Sequence, residues 1–174
     1  MRVIVVPYDP NWPAAFARES VAVSAALGES CLTVHHIGST SIPEMHAKPI
    51  IDMLPVVRSV GEIDARNNAM TALGYEAMGE FGIPGRRYFR KNDAACVRTH
   101  QVHVFEAGSP QIARHLAFRD FLLAHPDHAR EYATLKQLLA AQHPNDIEAY
   151  MDGKDSYIKR IDAMAAAASR NQMR

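Results

Sequence analysis

Apolar positions along the 174-residue chain change their period several times, and each change marks an element. The run RVIVV at 2–6 is long enough for a short strand, and the DPNWP that follows carries turn and helix-start chemistry. Pro13 suits a first helical turn. Phe16, Val23 and Leu27 then recur at helical spacing and Gly28 supplies a left-handed cap, so the spacing predicts a helix over 13–27. CLTVHHI (31–37) is β-branched and alternating, and PIIDMLPVV (49–57) is a second strand rich in apolar residues, joined to the first by the loop 38–48. Ser59 with Glu62 three residues later forms a capping box. Ile63, Met70 and Leu73 define one face of the helix it opens, and Gly74 closes it.

The glycine-rich stretch 75–85 reads as loop, whereas RRYFRK (86–91) and CVRTHQVHVFE (96–106), separated by NDAA, read as the two arms of a β-hairpin. Ser109-Pro110 opens a helical C-terminal part of about 109–170. Ile112, Leu116, Leu122 and Leu123 mark a helix ended by His125-Pro126, and Asp127 caps another that carries Tyr132, Leu135 and Leu139. Asn145 with Glu148 begins the last helix, through Tyr157, Ile158, Ile161 and Met164. There is no internal repeat and no low-complexity linker, and the length fits one domain over 1–174. The element order predicts an α+β fold, a mixed β-sheet flanked by helices with a helical C-terminal third.

Charge narrows the function classes. Lys plus Arg is 19 and Asp plus Glu is 19, so nothing in the net charge draws the chain to nucleic acid or an anionic membrane, and any anion site must be local. No apolar run approaches the ~18 residues of a spanning helix, which sets the expectation of a soluble, cytoplasmic protein. Cys31 and Cys96 have no paired metal spacing and are expected to be buried free thiols.

Within 35–57, HHIGSTSIPEMHAKPIIDMLPVV, one carboxylate stands inside an apolar strand. Alternation puts Asp52 on the face of Leu54 and Val56, and an unpaired carboxylate there costs several kcal/mol. Asp52 therefore sits at an accessible cleft, or pairs with a metal or with a cation such as Lys48 or a hairpin arginine. Gly38, Ser39, Thr40 and Ser41 let the backbone turn tightly and aim amides and hydroxyls at one spot, which is phosphate-cradle chemistry, although no Walker pattern is present. Arg86, Arg87, Arg90, Lys91 and Arg98 against the single Asp93 make the hairpin a cationic island. Such a strand is either a charged edge that resists aggregation or a neutraliser of an anionic ligand. His100 and His103, three apart in a strand, face opposite ways, and His103 shares its face with Gln101 and Phe105.

The opening VVPYDPNWP, the pair HIGSTSIP and AKPIIDM, the strand QVHVFEAGS, HLAFRDFLLAHP, and Tyr132 with LK at 135–136 together resemble the GrpB family over most of the chain. The resemblance implies the nucleotidyltransferase fold of the DNA polymerase beta-like superfamily, and a related segment is fused to some dephospho-coenzyme A kinases. In such enzymes a Gly-Ser turn holds a triphosphate, while an Asp-x-Asp pair and a third carboxylate hold two divalent metals. Gly38 and Ser39 match the turn and Asp52 the first acid, but Leu54 occupies the second position and offers no oxygen. Glu44 stands where the family has glycine after the loop proline, and Gln101-x-His103 replaces its His-x-His. The implied cation site is then Asp52 with His103 and either His36 or Glu106, for magnesium or a transition metal.

Two function classes follow from the resemblance. One is a metal-dependent nucleotidyl or phosphoryl transferase in which Ser39, Thr40 and Ser41 hold phosphate, Lys48, Arg87 and Arg90 neutralise it, and Asp52 is catalytic. The other is a non-catalytic module for a nucleotide or phosphorylated small molecule, favoured by Leu54. A protein-interaction domain using His115, Phe118, Arg119, Asp120 and Tyr132 is a third reading. Neither a specific nucleic acid nor a membrane is expected as partner, and the oligomeric state is not legible.

Overall fold

Proline in the first turn and Gly28 at φ 78° bound helix α1 (Trp12–Leu27) in the computed structural model, which describes residues 2–172. The chain gathers into two compact units, each assembled from separated stretches. The sheet unit takes Asn11–Ile37 and Ile50–Ile112, and the helical unit takes Gly38–Pro49 with the N-terminal segment up to Pro10 and the C-terminal segment from Ala113.

In the sheet unit, β1 (Cys31–Ile37), β2 (Ile51–Val57), β3 (Tyr75–Ala77), β4 (Arg87–Asn92) and β5 (Arg98–Glu106) form one sheet in the order β1-β2-β5-β4-β3. Only β2 and β5 are parallel, so the sheet is mixed as expected. Met53, Val102 and Phe89 lie opposite one another in register and are buried, and α1 packs against β1 and β2 through buried Val23 and Leu27. Lys91 Nζ and the Tyr75 hydroxyl both donate to Glu19 Oε1 at 2.9 Å, which ties α1 to β4 and β3.

Several local expectations are corrected. The Ser59–Glu62 capping box does not form: the Val60 N–H donates to Glu106 Oε2 (3.0 Å) and the Ser59 N–H to Ser30 Oγ (3.2 Å). Tertiary partners have taken the cap groups, and Val60–Arg66 winds as a 3₁₀ helix before the short α2 (Asn67–Ala72). Within 75–85, Tyr75–Ala77 pairs antiparallel with β4 to become the edge strand, and its tyrosine also reaches Glu19. Cys96 is exposed at φ 60°, in a hairpin turn where Asp93 Oδ1 accepts the N–H groups of Ala95 and Val97, and Cys31 is half-buried.

In the helical unit, 2–6 forms no strand. Val6 makes one antiparallel bridge to Ala47 and the Val3 N–H donates to Pro144 O (2.9 Å), Pro7 having no N–H to extend a ladder. Helices α3 (Pro110–Ala124), α4 (Pro126–Gln142) and α5 (Ile147–Gln172) follow. His125, not Asp127, is the cap residue of α4; Pro126 opens the helix and Asp127 pairs with Arg130 in its first turn. Asp146, not Asn145, caps α5, accepting the Ala149 N–H at 3.0 Å. Ile42 and Met45, from the loop 38–48, share one core with Phe121, Leu122, Tyr132, Tyr157 and Ile161, so the helices hold that loop by its apolar residues.

The approach of α4 to α5 rests on a glycine inside a helix, where the residue costs about 1 kcal/mol against alanine. A Cβ on Gly153 would overlap the methyl groups of Leu139, which is itself buried against Val3 and Tyr150. Gly153→Val is expected to destabilise the protein by about 2–4 kcal/mol, measured by urea unfolding, because the branched side chain forces α5 off α4.

Candidate active site and phosphate site

Asp52 lies in a row of side chains directly opposite one another across the sheet: Ile37, Asp52, Gln101, Arg90 and Glu76. Its nearest polar partner on that face is His103, two residues beyond Gln101, with Nε2 3.2 Å from Asp52 Oδ1. On the other side of the imidazole, Arg86 Nη1 is 3.3 Å from Nδ1. A guanidinium only donates, so Nδ1 is the acceptor, the ring proton sits on Nε2, and His103 donates to Asp52.

Arg86 is buried, 7% exposed, and the remainder of its guanidinium holds the loop before β4: Nη2 donates to Phe81 O (2.7 Å) and Nε to Glu80 O (3.1 Å). Its plane covers the Tyr88 ring at 4.8 Å, and Tyr88 stacks on His103 with 5.3 Å between centroids. One guanidinium thus fixes a loop, an aromatic ring and a histidine tautomer.

Of the other hairpin cations, Arg87, Arg90 and Lys91 are engaged with acids, and Arg98 donates to Asn92 Oδ1 at 2.7 Å. Arg87 makes a two-pronged pair with Asp64 (2.6 and 3.1 Å), which holds the Asp64 carboxyl below its ordinary pKa, and Arg90 Nε is 2.6 Å from Glu76. Arg87 and Arg90, three apart in β4, point to opposite faces. His36 lies across from Met53, on the face away from Asp52, and stacks on Phe16 at 4.6 Å. Glu106 pairs with Val57, five residues along β2 from Asp52 and roughly 16 Å away. The donors around Asp52 therefore do not fit a two-metal centre: position 54 is leucine and the His103 Nε2–H is directed at Asp52 itself. Among the described residues no three His, Cys, Asp or Glu side chains converge to hold an ion.

The Gly-Ser turn belongs to the helical unit. Gly38, at φ 73°, lets Ser39–Ser41 wind as a 3₁₀ turn. The Ser41 N–H and Ile42 N–H donate to Gly38 O and Ser39 O, the Ser41 hydroxyl also donates to Gly38 O (2.5 Å), and Thr40 is buried. The Ser39 hydroxyl instead accepts from Lys136 Nζ at 2.7 Å. Lys136 is 2% exposed and lies over the Tyr132 ring at 4.6 Å. Burial, reinforced by repulsion from Lys154, which is also buried, pushes its pKa down to about 7. Lys154 and Lys48 both lie over Tyr150, at 4.5 and 5.6 Å. Lys136 on α4 and Lys154 on α5 thus stand with Ser39 and Lys48 of the loop.

The family model for GrpB protein matches residues 2–164. The chain belongs to the GrpB family. It is 49% identical over 164 residues to the UPF0157 protein YqkA of Bacillus subtilis, covering 94% of this chain and 47% of YqkA, so the chain spans about half that relative's length. It is 33% identical over 162 residues to the glutamate-rich protein GrpB of Alkalihalophilus pseudofirmus, covering 91% and 93% of the two chains. The crystal structure of the conserved protein GrpB from Enterococcus faecalis matches with a TM-score of 0.91 and 45% identity, over 95% of this chain and 99% of that one.

In this GrpB chain Glu44 takes φ 64°, the left-handed conformation in which a glycine would carry no penalty. Sequence reasoning missed the burial of Lys136 and Lys154, although a signal was there. Lys136 lies on the stripe Tyr132-Lys136-Leu139 and Lys154 on Tyr150-Lys154-Tyr157, each a lysine at a core position of an amphipathic helix. The burial of Arg86, one of the five cations of the hairpin island, has no signal in the sequence.

Two outcomes are expected. Arg86→Met leaves the Phe81 and Glu80 carbonyls without their donor and lowers stability by about 2–4 kcal/mol in urea unfolding. Arg86→Lys does not restore it, since an ammonium cannot span the three acceptors. Glu44→Gly raises stability by about 1 kcal/mol by the same measurement, relieving the left-handed backbone.

Proposed function

We propose that this GrpB protein binds the phosphate end of a nucleotide or phosphorylated small molecule at the Ser39 turn, with Lys136 as the principal charge partner. The observation that carries the reading is the Lys136 ammonium, placed at 2% exposure against the Ser39 hydroxyl with Lys154 and Lys48 nearby. Ammonium groups held close together beside a hydroxyl attract a multiply charged anion more strongly than a neutral ligand. A phosphate oxygen accepts from the ammonium and from the serine hydroxyl, while Gly38, Thr40 and Ser41 shape the turn that presents Ser39. In the sheet unit Arg87 and Arg90 serve chiefly as partners of Asp64 and Glu76, and Asp52 is the acidic group at which a transferase would act.

Binding without transfer is favoured over the two-metal reaction by Leu54, which occupies the place of the second acid. The transferase reading stands on Asp52, oriented by His103. Metal-dependent turnover of nucleoside triphosphates that disappears in Asp52→Asn supports it. Its absence across magnesium, manganese and zinc with tight triphosphate binding supports the binding module.

The site test uses inorganic tripolyphosphate. Lys136→Met is expected to weaken its binding at least tenfold by calorimetry, about 1.4 kcal/mol. Wild-type affinity falls from pH 6 to pH 8 as Lys136 loses its proton near pH 7. The stability effect has the opposite sense. Below pH 7 both folded and unfolded lysine are protonated and the burial penalty is full; from about pH 7 to 10.5 the unfolded state holds the extra proton, so this residue's contribution to stability rises with pH. Lys136→Met should therefore be more stable than wild type at pH 6, by a margin that shrinks toward pH 10. Unchanged tripolyphosphate affinity in Lys136→Met would refute the phosphate site.

A further inference from the structure

The loop that joins β3 to β4 carries an aromatic ring in an unfavourable place. Phe81 is 56% exposed and takes φ 47°. Bulky side chains seldom adopt that conformation, and three neighbours that do so freely, Gly79, Gly82 and Gly85, share the loop. The backbone around it is held firmly. Arg86 takes the carbonyls of Phe81 and Glu80, Glu80 Oε1 accepts the Gly85 N–H (2.8 Å), and Tyr88 N–H donates to Gly79 O (2.8 Å). The loop therefore spends its hydrogen bonds on presenting a ring to solvent, and backbone strain held in place in this way clusters at ligand clamps.

The ring ends a ladder that runs to Asp52. Phe81 stacks on Tyr88 at 5.3 Å and 28°, Tyr88 stacks on His103 at 5.3 Å and 29°, and His103 donates to Asp52 at 3.2 Å. We infer that Phe81 is a stacking platform for the flat heteroaromatic ring of a ligand used at Asp52, a subsite read by π-contact and not by charge. The choice of a nucleobase-like ring rests on the nucleotide reading of the preceding section; the presence of a platform does not. Stacking on one exposed ring is tolerant of base identity and grows with ring area, so a purine is favoured over a pyrimidine.

Uncharged nucleosides test the platform without using the lysines. Adenosine and uridine are titrated into the full chain, followed by saturation-transfer difference NMR and by the amide shifts of residues 79–86, for wild type, Phe81→Leu, Phe81→Ala and Phe81→Trp. The expected result is adenosine binding tighter than uridine, kept in Phe81→Trp and weakened at least fivefold in Phe81→Leu and Phe81→Ala. Phe81→Leu fills the same backbone conformation with an apolar side chain, and unchanged amide exchange at Tyr88 shows that its loop is intact. Tripolyphosphate binding should be unmoved by all three variants. Adenosine affinity equal in wild type and Phe81→Leu, or no adenosine binding to wild type, would overturn the platform whether or not tripolyphosphate binds. Phe81-dependent adenosine binding with no effect of Lys136→Met on tripolyphosphate would support the platform and remove the phosphate site.

Discussion

The two-residue alternation of β2 is the constraint on which the sheet unit's chemistry depends. Six of its seven residues are buried, and Asp52 is the exception. Because the strand pairs on both sides, it cannot slip by one residue without turning Met53 out of the core and Asp52 into it. The same register then decides which neighbours Asp52 meets. Gln101 and Arg90 stand across from it, His103 is one step along, and His36 is excluded although it is only one residue from Ile37, which lies opposite Asp52.

The helical unit obeys a different constraint. Its loop is held by Ile42 and Met45 in the apolar core, while Ser39 is held by an ammonium that the same core keeps out of water. Apolar burial fixes where the loop is, and desolvation fixes how acidic its lysine is. Both follow from the packing of α4 on α5, in which Gly153 lets Leu139 come close. The state of Lys136 and the core packing are therefore coupled: a change that loosens the helices alters the protonation of Lys136 without touching it.

Most elements were legible in the sequence because their periods are strong. β1, the hairpin and α1 came from alternation or helical spacing that burial enforces. The failures lie where tertiary partners outbid local preference, as at Ser59, whose capping role yielded to contacts from Ser30 and Glu106. The turn and Asp52 were legible from residue type; the expected partner of Asp52 was Lys48 or a hairpin arginine, and the structure pairs it with His103, which the resemblance had implied only as a fellow ligand of a cation. The burial of Arg86 and the acid partners of Arg87 and Arg90 were not legible, since a charged residue in a strand carries no mark of which acid a distant segment will bring to it. Lys136 was readable only as a misfit on an apolar stripe.

The sheet ends at β3 with three residues, one of which, Glu76, is occupied with Arg90. Such an edge exposes only a few backbone groups and sets a carboxylate beside them, so it is a poor template for another strand. Copies of this protein meeting at high concentration gain almost nothing by extending one another's sheets along that side. The brevity of β3 leaves any edge-to-edge pairing of this sheet to the seven-residue β1 at its other side.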